Sequence, residues 1–414
     1  MSDSPDEPQN LSPDELHRHL ARRPRLGHRL MRVLEEAYEA DPQAYRANWM
    51  PVLREAALPR FFAETYDRVL TMVSLLPEGA RIYARFEDEV EHEAMLHLLE
   101  EHGSRIVELS LVQVTSEEMA AMLAHPGLAS IPALRLGGID DYWGPDVIDW
   151  LAAAPQLGDL RSLCFIHAGE LRDEHLVALS NVEHLRGLRA VRLEAPDADD
   201  LGMGGAAVPM HQVTDEGVCA LIRGFPELEL FDVGGCYGGE TLSAAAFDGL
   251  VELEKLRFVS PPRGFHRGGG IDGWLRSLAA RLTHLDLSDG AFDRALLARP
   301  MPLLRYLLLA RSEVDVDAAK AIADSGHFPE LRHLGFFDES DAGLCHQGIT
   351  SLSNQLRRDD IEVLLEHEGH PHLEYVDFLA EDDRPQALHR APGGMWQEEE
   401  PDLTSGYEPH FPLG

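Results

Sequence analysis

Three closely spaced histidines are the residues in this sequence that come nearest to a metal site. His367, His370 and His372 lie in the run EHEGHPH, next to Glu366 and Glu368. Imidazole nitrogens together with carboxylate oxygens suit zinc. The same composition is also typical of a solvent-exposed helix end, where histidine interacts favourably with the helix dipole. Because this second interpretation requires no ligand, we predict no metal site and no bound cofactor.

Two further patterns resemble catalytic motifs, but each lacks a feature that the chemistry requires. His92 and Glu93 are followed by His97 one residue later than in a zinc-protease motif, which would turn the two imidazoles about 140° apart on a helix. The glycine run at 267–272 lacks the lysine and hydroxyl residue of a phosphate-binding loop. The chain also has no Gly-x-Ser-x-Gly turn. We therefore predict that the protein is not an enzyme.

The composition is strongly acidic, with 72 Asp and Glu residues against 36 Lys and Arg residues and a formal net charge of −36. Phosphate contacts require clustered basic residues, so this charge argues against a nucleic acid partner and favours a basic protein. The sequence shows neither a membrane-spanning apolar run nor a secretory signal, and the 4 cysteines lie far apart. These features predict a cytoplasmic protein. Lys255 and Lys320 are the only lysines, a bias that suggests a bacterial source.

A nine-residue phrase with apolar residues at positions one, four and six recurs ten times along the chain. Clear copies are LTHLDLSDG from Leu282 and LRYLLLARS from Leu304. Successive copies start 22 to 29 residues apart, except for two intervals of 40 and 42 residues. A period in this range predicts a repeat architecture. The phrases start at Ile106, Ile131, Leu160, Leu188, Leu228, Leu253, Leu282, Leu304, Leu331 and Leu373.

Each phrase predicts a strand, and the sequence between phrases predicts a helix. In a strand, positions four and six point to one face while positions three, five and seven point to the other, so the apolar residues face the core. Helical periodicity then begins after Thr115, which forms a predicted capping box with Glu118. A strand opposite a bulkier helix makes each repeat a wedge. Stacked wedges predict a curved solenoid with parallel strands on its concave face.

These phrases resemble the repeats of leucine-rich-repeat proteins of the ribonuclease-inhibitor-like class, over about residues 82–381. The resemblance implies an α/β solenoid, or horseshoe, with helices on its convex face. Position nine is usually Asn or Cys in this family, and Cys236 matches that pattern. Other copies depart from it and carry Ala168, Pro196, Pro261 or Glu339.

An array of this kind needs caps for its exposed ends. Ser12 and Glu15 predict a capping box at the start of an N-terminal helix, and the alternation of residues 82–86 predicts a first edge strand. The two long intervals predict surface insertions at about 196–213 and 340–357. The predicted segments are a disordered N-terminus (1–11), a helical N-terminal cap (12–78), an array of about ten repeats (79–381) and an acidic, disordered tail (382–414).

The outward strand positions of the central and late repeats predict the binding surface. Aromatic residues and arginine are the usual anchors of a protein interface, and aspartates would attract a basic partner. Tyr306, Phe337 and Tyr375 are the predicted anchors. The predicted contact residues are Arg257, His284, Asp286, Asp289, Tyr306, Arg311, His333, Phe337, Asp338, Tyr375 and Asp377. Equivalent positions of earlier repeats carry Arg192, Glu194, Asp232 and Lys255.

The sequence therefore predicts a non-enzymatic protein interaction module or scaffold that binds a partner protein on its concave face. An alternative is a stoichiometric inhibitor or immunity protein that occludes a basic enzyme such as a nuclease, which the family resemblance implies by analogy. A third interpretation makes the N-terminal segment an effector unit and the repeats its targeting arm. The sequence leaves the identity of the partner and the oligomeric state open.

Overall fold

The computed structural model shows two compact units, residues 1–160 and 161–414. Both are built from alternating parallel strands and helices, which confirms the prediction of an α/β repeat solenoid. No helix among the described residues is long and apolar enough to cross a bilayer. The described residues are 12–22, 25–26, 28–55, 60–63, 73–78, 80–86, 92–138, 146–166, 171–193, 213–234, 242–261, 271–288, 299–309, 312, 314, 316–324, 326–336, 361, 365, 372–379, 385–390 and 396–399.

In the first unit, parallel strands pair in chain order while helices alternate with them. The strands are β1 (Arg25–Leu26), β2 (Arg60–Ala63), β3 (Ile82–Phe86), β4 (Ile106–Val114) and β5 (Ala133–Gly138). The helices are α1 (Pro13–Arg22), α2 (His28–Ala40), α3 (Pro42–Glu55), α4 (His92–His102), α5 (Ser116–Leu123) and α6 (Asp146–Ala152).

Both predicted capping boxes of this unit are confirmed. The Glu15 amide donates to the Ser12 hydroxyl at 3.3 Å while the Glu15 carboxylate accepts from the Ser12 amide at 2.8 Å. Thr115 and Glu118 form the same reciprocal pair at the start of α5. These bonds satisfy amides that a helix start leaves without intrahelical partners.

The N-terminal cap differs from the expectation of helices alone. Residues 12–78 contain β1 and β2 as well as α1 to α3. The prediction of a strand at 82–86 is confirmed as β3, but β3 is not an edge strand, because β2 pairs with it from the N-terminal side. The cap therefore continues the sheet and satisfies the strand edge that a purely helical cap would have to cover.

In the second unit, β6 to β13 pair in parallel in chain order, and β13, β14 and β15 then pair antiparallel. The strands are β6 (Ser162–Phe165), β7 (Ala190–Leu193), β8 (Leu230–Asp232), β9 (Phe258–Ser260), β10 (His284–Asp286), β11 (Tyr306–Leu308), β12 (His333–Gly335), β13 (Tyr375–Leu379), β14 (Pro385–Arg390) and β15 (Trp396–Glu399). The helices are α7 (Asp173–Ser180), α8 (Asp215–Gly224), α9 (Ala244–Asp248), α10 (Ile271–Leu278) and α11 (Val316–Asp324).

The segment expected to be a disordered acidic tail contributes two of these strands. β14 pairs with β13 from Tyr375 opposite His389 to Leu379 opposite Pro385, and β15 pairs with β14. The antiparallel pair occupies the edge that β13 would otherwise expose. Residues 400–414 lie outside the described part of the chain.

Strand pairing confirms the predicted register of the repeats with one correction. His284 pairs with Phe258, and Leu285 pairs with Val259. The phrase predicted to start at Leu253 therefore starts three residues later, at Leu256. The start at Leu253 satisfies all three apolar positions, whereas the start at Leu256 places Pro261 at position six, so the apolar pattern favoured the wrong start. The correction moves Arg257 from the outward position five to position two.

In the second unit, side chains at the start of one helix form hydrogen bonds with the start of the helix in the next repeat. The Asp173 carboxylate accepts from the Thr214 amide at 2.8 Å, the Thr214 hydroxyl at 2.6 Å and the Gly217 amide at 3.1 Å. The Asp215 carboxylate likewise accepts from the Ser243 amide at 2.7 Å. Each aspartate thus caps the helix of the following repeat, where the negative charge also meets the helix dipole favourably.

Candidate functional site

Two neighbouring rows of side chains form the outward face of the sheet in the second unit, which we call the strand face. Side chains alternate between the two faces of a strand, so positions three and five share this face while position four is buried. From β7 to β12, position three carries Ala190, Leu230, Phe258, His284, Tyr306 and His333. Position five carries Arg192, Asp232, Ser260, Asp286, Leu308 and Gly335.

Phe258, His284, Tyr306 and His333 form a continuous row of rings, which we call the ring row. His284 and Tyr306 are parallel, with centroids 4.2 Å apart and planes inclined by 6°. Phe258 lies 5.8 Å from His284, and His333 lies 5.7 Å from Tyr306. Adjacent strands are roughly 4.8 Å apart, so rings at the same strand position are held within stacking distance. The row is therefore a consequence of the register.

Exposure changes along position three of the sheet. Leu230 and Phe258 are only 1% and 7% exposed, and with Ala190 they form a small buried cluster. Tyr306 is 36% exposed, which makes it one of the few exposed large hydrophobic residues among those described. The Tyr306 end of the ring row is accessible to a partner, whereas the Phe258 end is packed within the protein.

His284 joins these two ends, and its surroundings keep its imidazole neutral. Burial is the main cause that lowers the pKa of His284 to about 4, and electrostatic interactions with Arg305, His333 and Arg192 act in the same direction. Nδ1 lies 2.8 Å from the Thr283 hydroxyl. At neutral pH, His284 is therefore a planar, uncharged ring that stacks on Tyr306, rather than a cation.

The carboxylates of position five are engaged within the protein. Asp232 lies 3.9 Å from the Arg192 guanidinium, measured between Oδ2 and Nε. Asp286 accepts from the Ser260 hydroxyl at 3.0 Å, the Ser288 amide at 2.9 Å and the Ser288 hydroxyl at 2.6 Å. We call Arg192, Asp232, Ser260 and Asp286 the polar row. Its hydrogen bonds link neighbouring repeats and fix the side chains beside the ring row.

The structure brings some of the predicted contact residues together and separates one from them. His284, Asp286, Tyr306 and His333 share the strand face. The backbone of β13 pairs with β12 so that Tyr375 and Asp377 are in register with His333 and Gly335. Arg257 precedes its strand, and its Nη1 donates to the Glu254 and Leu256 carbonyls at 3.0 and 2.8 Å. Outside the described residues lie Asp289, Arg311, Phe337, Asp338, His367 and His370.

No group of three metal-ligating side chains occurs within the described ranges, which include His372 but not the other two histidines of its run. The sequence prediction missed Phe258 and Ser260 because of the register error, and missed Arg305 because position two is not one of the outward strand positions. The signal for Arg305 was the recurrence of arginine at position two, in Arg161, Arg189, Arg257, Arg305 and Arg332.

Comparison with known proteins gives no match to a protein-family model and none to the sequence of a curated protein. Among solved structures, the chain is similar to the crystal structure of the complex of Rad7 and Elc1 in yeast. The identity is 15%, the match covers 68% of this chain and 69% of that chain, and the TM-score is 0.40. Similarity at this level carries no functional argument. The function must be argued from the strand face itself.

Proposed function

We propose that the protein is a non-enzymatic interaction module that holds a partner protein on the strand face of its second unit. The observation that carries this proposal is the ring row, in which the exposed Tyr306 is stacked on His284 at 4.2 Å. Tyrosine is enriched among the residues that dominate binding energy in protein interfaces, because it combines a large apolar surface with a polar tip.

The stacking also prepares Tyr306 for binding. A free tyrosine side chain loses rotamer entropy when a partner immobilises it, at a cost on the order of 1 kcal/mol. His284 and His333 flank Tyr306 at 4.2 and 5.7 Å, so much of that freedom is lost already on folding. The neutral state of His284 adds no charge that binding would have to desolvate.

Site-specific photo-crosslinking can test this proposal. A photoreactive phenylalanine analogue placed at Tyr306 in the full chain should capture a partner in the native cell, while the same group at Val251 should not. Val251 is an equally exposed apolar residue at 37%, and it lies in a short 3-10 helix (Gly249–Glu252) rather than on the strand face. The captured protein, once purified, should bind the V251A variant with unchanged affinity and Y306A at least about tenfold more weakly.

Binding of the purified partner to Y306A and to the Y306A/H333A double variant with the affinity of the unchanged chain would reject the strand face as the binding surface. Circular dichroism and unfolding curves of both variants are needed beside the affinity, so that a loss of binding is not mistaken for a loss of folding.

A second candidate function is the inhibition of a basic enzyme, and the net charge of −36 favours it. Such a charge attracts basic proteins over long range and raises their association rate at low salt. This function predicts nanomolar binding that weakens steeply between 50 and 500 mM salt, on the order of a hundredfold. Binding that is insensitive to salt would remove this candidate and leave the interaction module.

A further inference from the structure

We propose that the exposed surface formed by Leu303, Arg305 and Tyr306 docks a protein segment that carries a carboxylate next to an apolar or aromatic side chain. This inference rests on the proposed function and specifies the chemistry of its partner. We call these three residues the Arg305 surface.

The Arg305 surface combines exposed apolar side chains with an exposed basic one. Leu303 is 47% exposed and Tyr306 is 36% exposed, and Arg305 between them is also exposed. The backbone beneath them is rigidly held, because the amides of Arg305 and Tyr306 donate to the Thr283 carbonyl at 2.8 and 3.1 Å. Exposed Tyr and Arg on a fixed backbone have the composition of interface anchors.

Ion pairs neutralise two of the position-two arginines but not Arg305. Arg189 pairs with Glu229 at 2.7 Å, and Arg332 pairs with Glu374 at 3.6 Å. Arg305 forms no ion pair with the described residues. An unpaired guanidinium binds a carboxylate through two parallel hydrogen bonds, so an acidic side chain is its natural counterpart.

The charges around the strand face also favour an acidic partner. Arg305, His333 and Arg192 lie close enough to His284 to contribute to its lowered pKa. The described carboxylates of the polar row, Asp232 and Asp286, are already occupied by hydrogen bonds or ion pairs within the protein. Although the whole chain is acidic, charges beyond about 8 Å are largely screened at physiological salt. Contact pairs at the surface therefore decide which charge it accepts.

The residues beside Tyr306 define the apolar part of the partner. At position five, Leu308 and Gly335 follow Asp286, so the polar row ends where the ring row becomes exposed. Neither residue offers a polar side chain. Both are buried, so a partner's leucine or aromatic ring would pack on the exposed Tyr306 and Leu303 while its neighbouring carboxylate reaches Arg305.

Selection from a library of random twelve-residue peptides displayed on phage can test this inference with the full chain as the target. We expect the selected peptides to be enriched in Asp or Glu beside an apolar or aromatic residue. As synthetic peptides they should bind R305E at least about tenfold more weakly than the unchanged chain, and R305K by an intermediate factor, because lysine cannot form the bidentate contact. R276E is the matched control, because Arg276 is exposed in the last turn of α10 and undergoes the same charge change.

The pairing itself is tested by a double-mutant cycle. Replacing the peptide's acidic residue with its amide should weaken binding to the unchanged chain but have little further effect on R305E. Additive effects, or an equal loss in R276E, would reject a direct contact with Arg305.

Other occupants give distinct results, each of which would overturn the inference. Basic peptides that depend on Tyr306 would reject an acidic partner but leave the proposed function standing. Dimers of the full chain that R305E abolishes would assign the surface to a second copy. Acidic peptides that bind only after Glu400 and Asp402 are replaced by Gln and Asn would assign it to the C-terminal residues of this chain. A selection that yields no peptide bound at Tyr306 would reject peptide docking at this surface.

Discussion

The two ends of the ring row occupy the same strand position but have different surroundings. Phe258 is buried beside Leu230 and Ala190, whereas Tyr306 is exposed and is followed by Leu308 and Gly335 in place of the polar row. Both face away from the core between strands and helices. The repeat thus fixes the position of a side chain on the sheet. Burial by neighbouring residues determines whether that side chain stabilises the protein or is accessible to a binding partner.

The largest effect that would test this difference is expected at the buried end. Replacing Phe258 with Ala should lower the free energy of unfolding by about 3–5 kcal/mol, because a buried ring leaves a cavity that the rigid sheet cannot close. Urea unfolding of the full chain measures this change. A loss below about 1 kcal/mol would mean that Phe258 is as accessible as Tyr306, and the distinction between the two ends would fail.

His284 joins the two ends and should make stability depend on pH. Its pKa is lowered from 6.5 to about 4 in the folded protein, first by burial and then by Arg305, His333 and Arg192. Between these two pKa values, His284 is mostly protonated in the unfolded chain but mostly neutral in the folded protein. Stability should fall as pH drops from 6.5 to 4, by about 3 kcal/mol from this group alone.

A comparison of unfolding free energies at several pH values between the unchanged chain and H284F isolates this contribution. Phenylalanine keeps a ring in the row but cannot titrate, so the slope attributable to residue 284 should disappear. An identical slope in H284F would show that other groups cause the acid sensitivity.

The fold was predictable because it depends on local patterns. The apolar phrase favours a strand, and the capping boxes of Ser12 and Thr115 favour helix starts. Packing against neighbouring repeats stabilises the same elements, so local and tertiary preferences agree. The register of one repeat was not predictable, since Leu253 starts a complete apolar phrase while the observed start, Leu256, has Pro261 at position six. Only the pairing of Phe258 with His284 reveals the observed start. Pairing is a contact between residues distant in sequence.

The candidate site was predictable in part for the same reason. His284, Tyr306 and His333 follow from the strand period alone, and the sequence placed all three on one face. The strand period does not predict how exposed these side chains are. The burial of Leu230 and the hydrogen bonds of Asp286 depend on contacts with neighbouring repeats. The predicted basic partner rested on counting aspartates without knowing which of them were already hydrogen-bonded.

A smaller effect is expected in the polar row beside the buried end. A side chain at Gly234 would overlap the Ser260 hydroxyl, which donates to Asp286. G234A should therefore destabilise the protein by about 1–3 kcal/mol, the usual cost of overpacking. The double variant G234A/S260A should recover part of the loss, as measured by urea unfolding. If the second substitution gave no recovery, the close approach of the two repeats would not be the cause.

The smallest effect on stability is expected at the exposed end. Y306A should cost less than about 1 kcal/mol beyond the lost ring stacking, because a third of the side chain is in water before the substitution. Removing that ring also exposes His284. Since burial is the main cause of its lowered pKa, the pKa of His284 should rise towards 6.5, and the acid sensitivity should shrink in Y306A. NMR titration of the imidazole measures this shift. If Y306A were as unstable as F258A, or left the His284 titration unchanged, Tyr306 would be a structural residue, and the binding role would lose its main support.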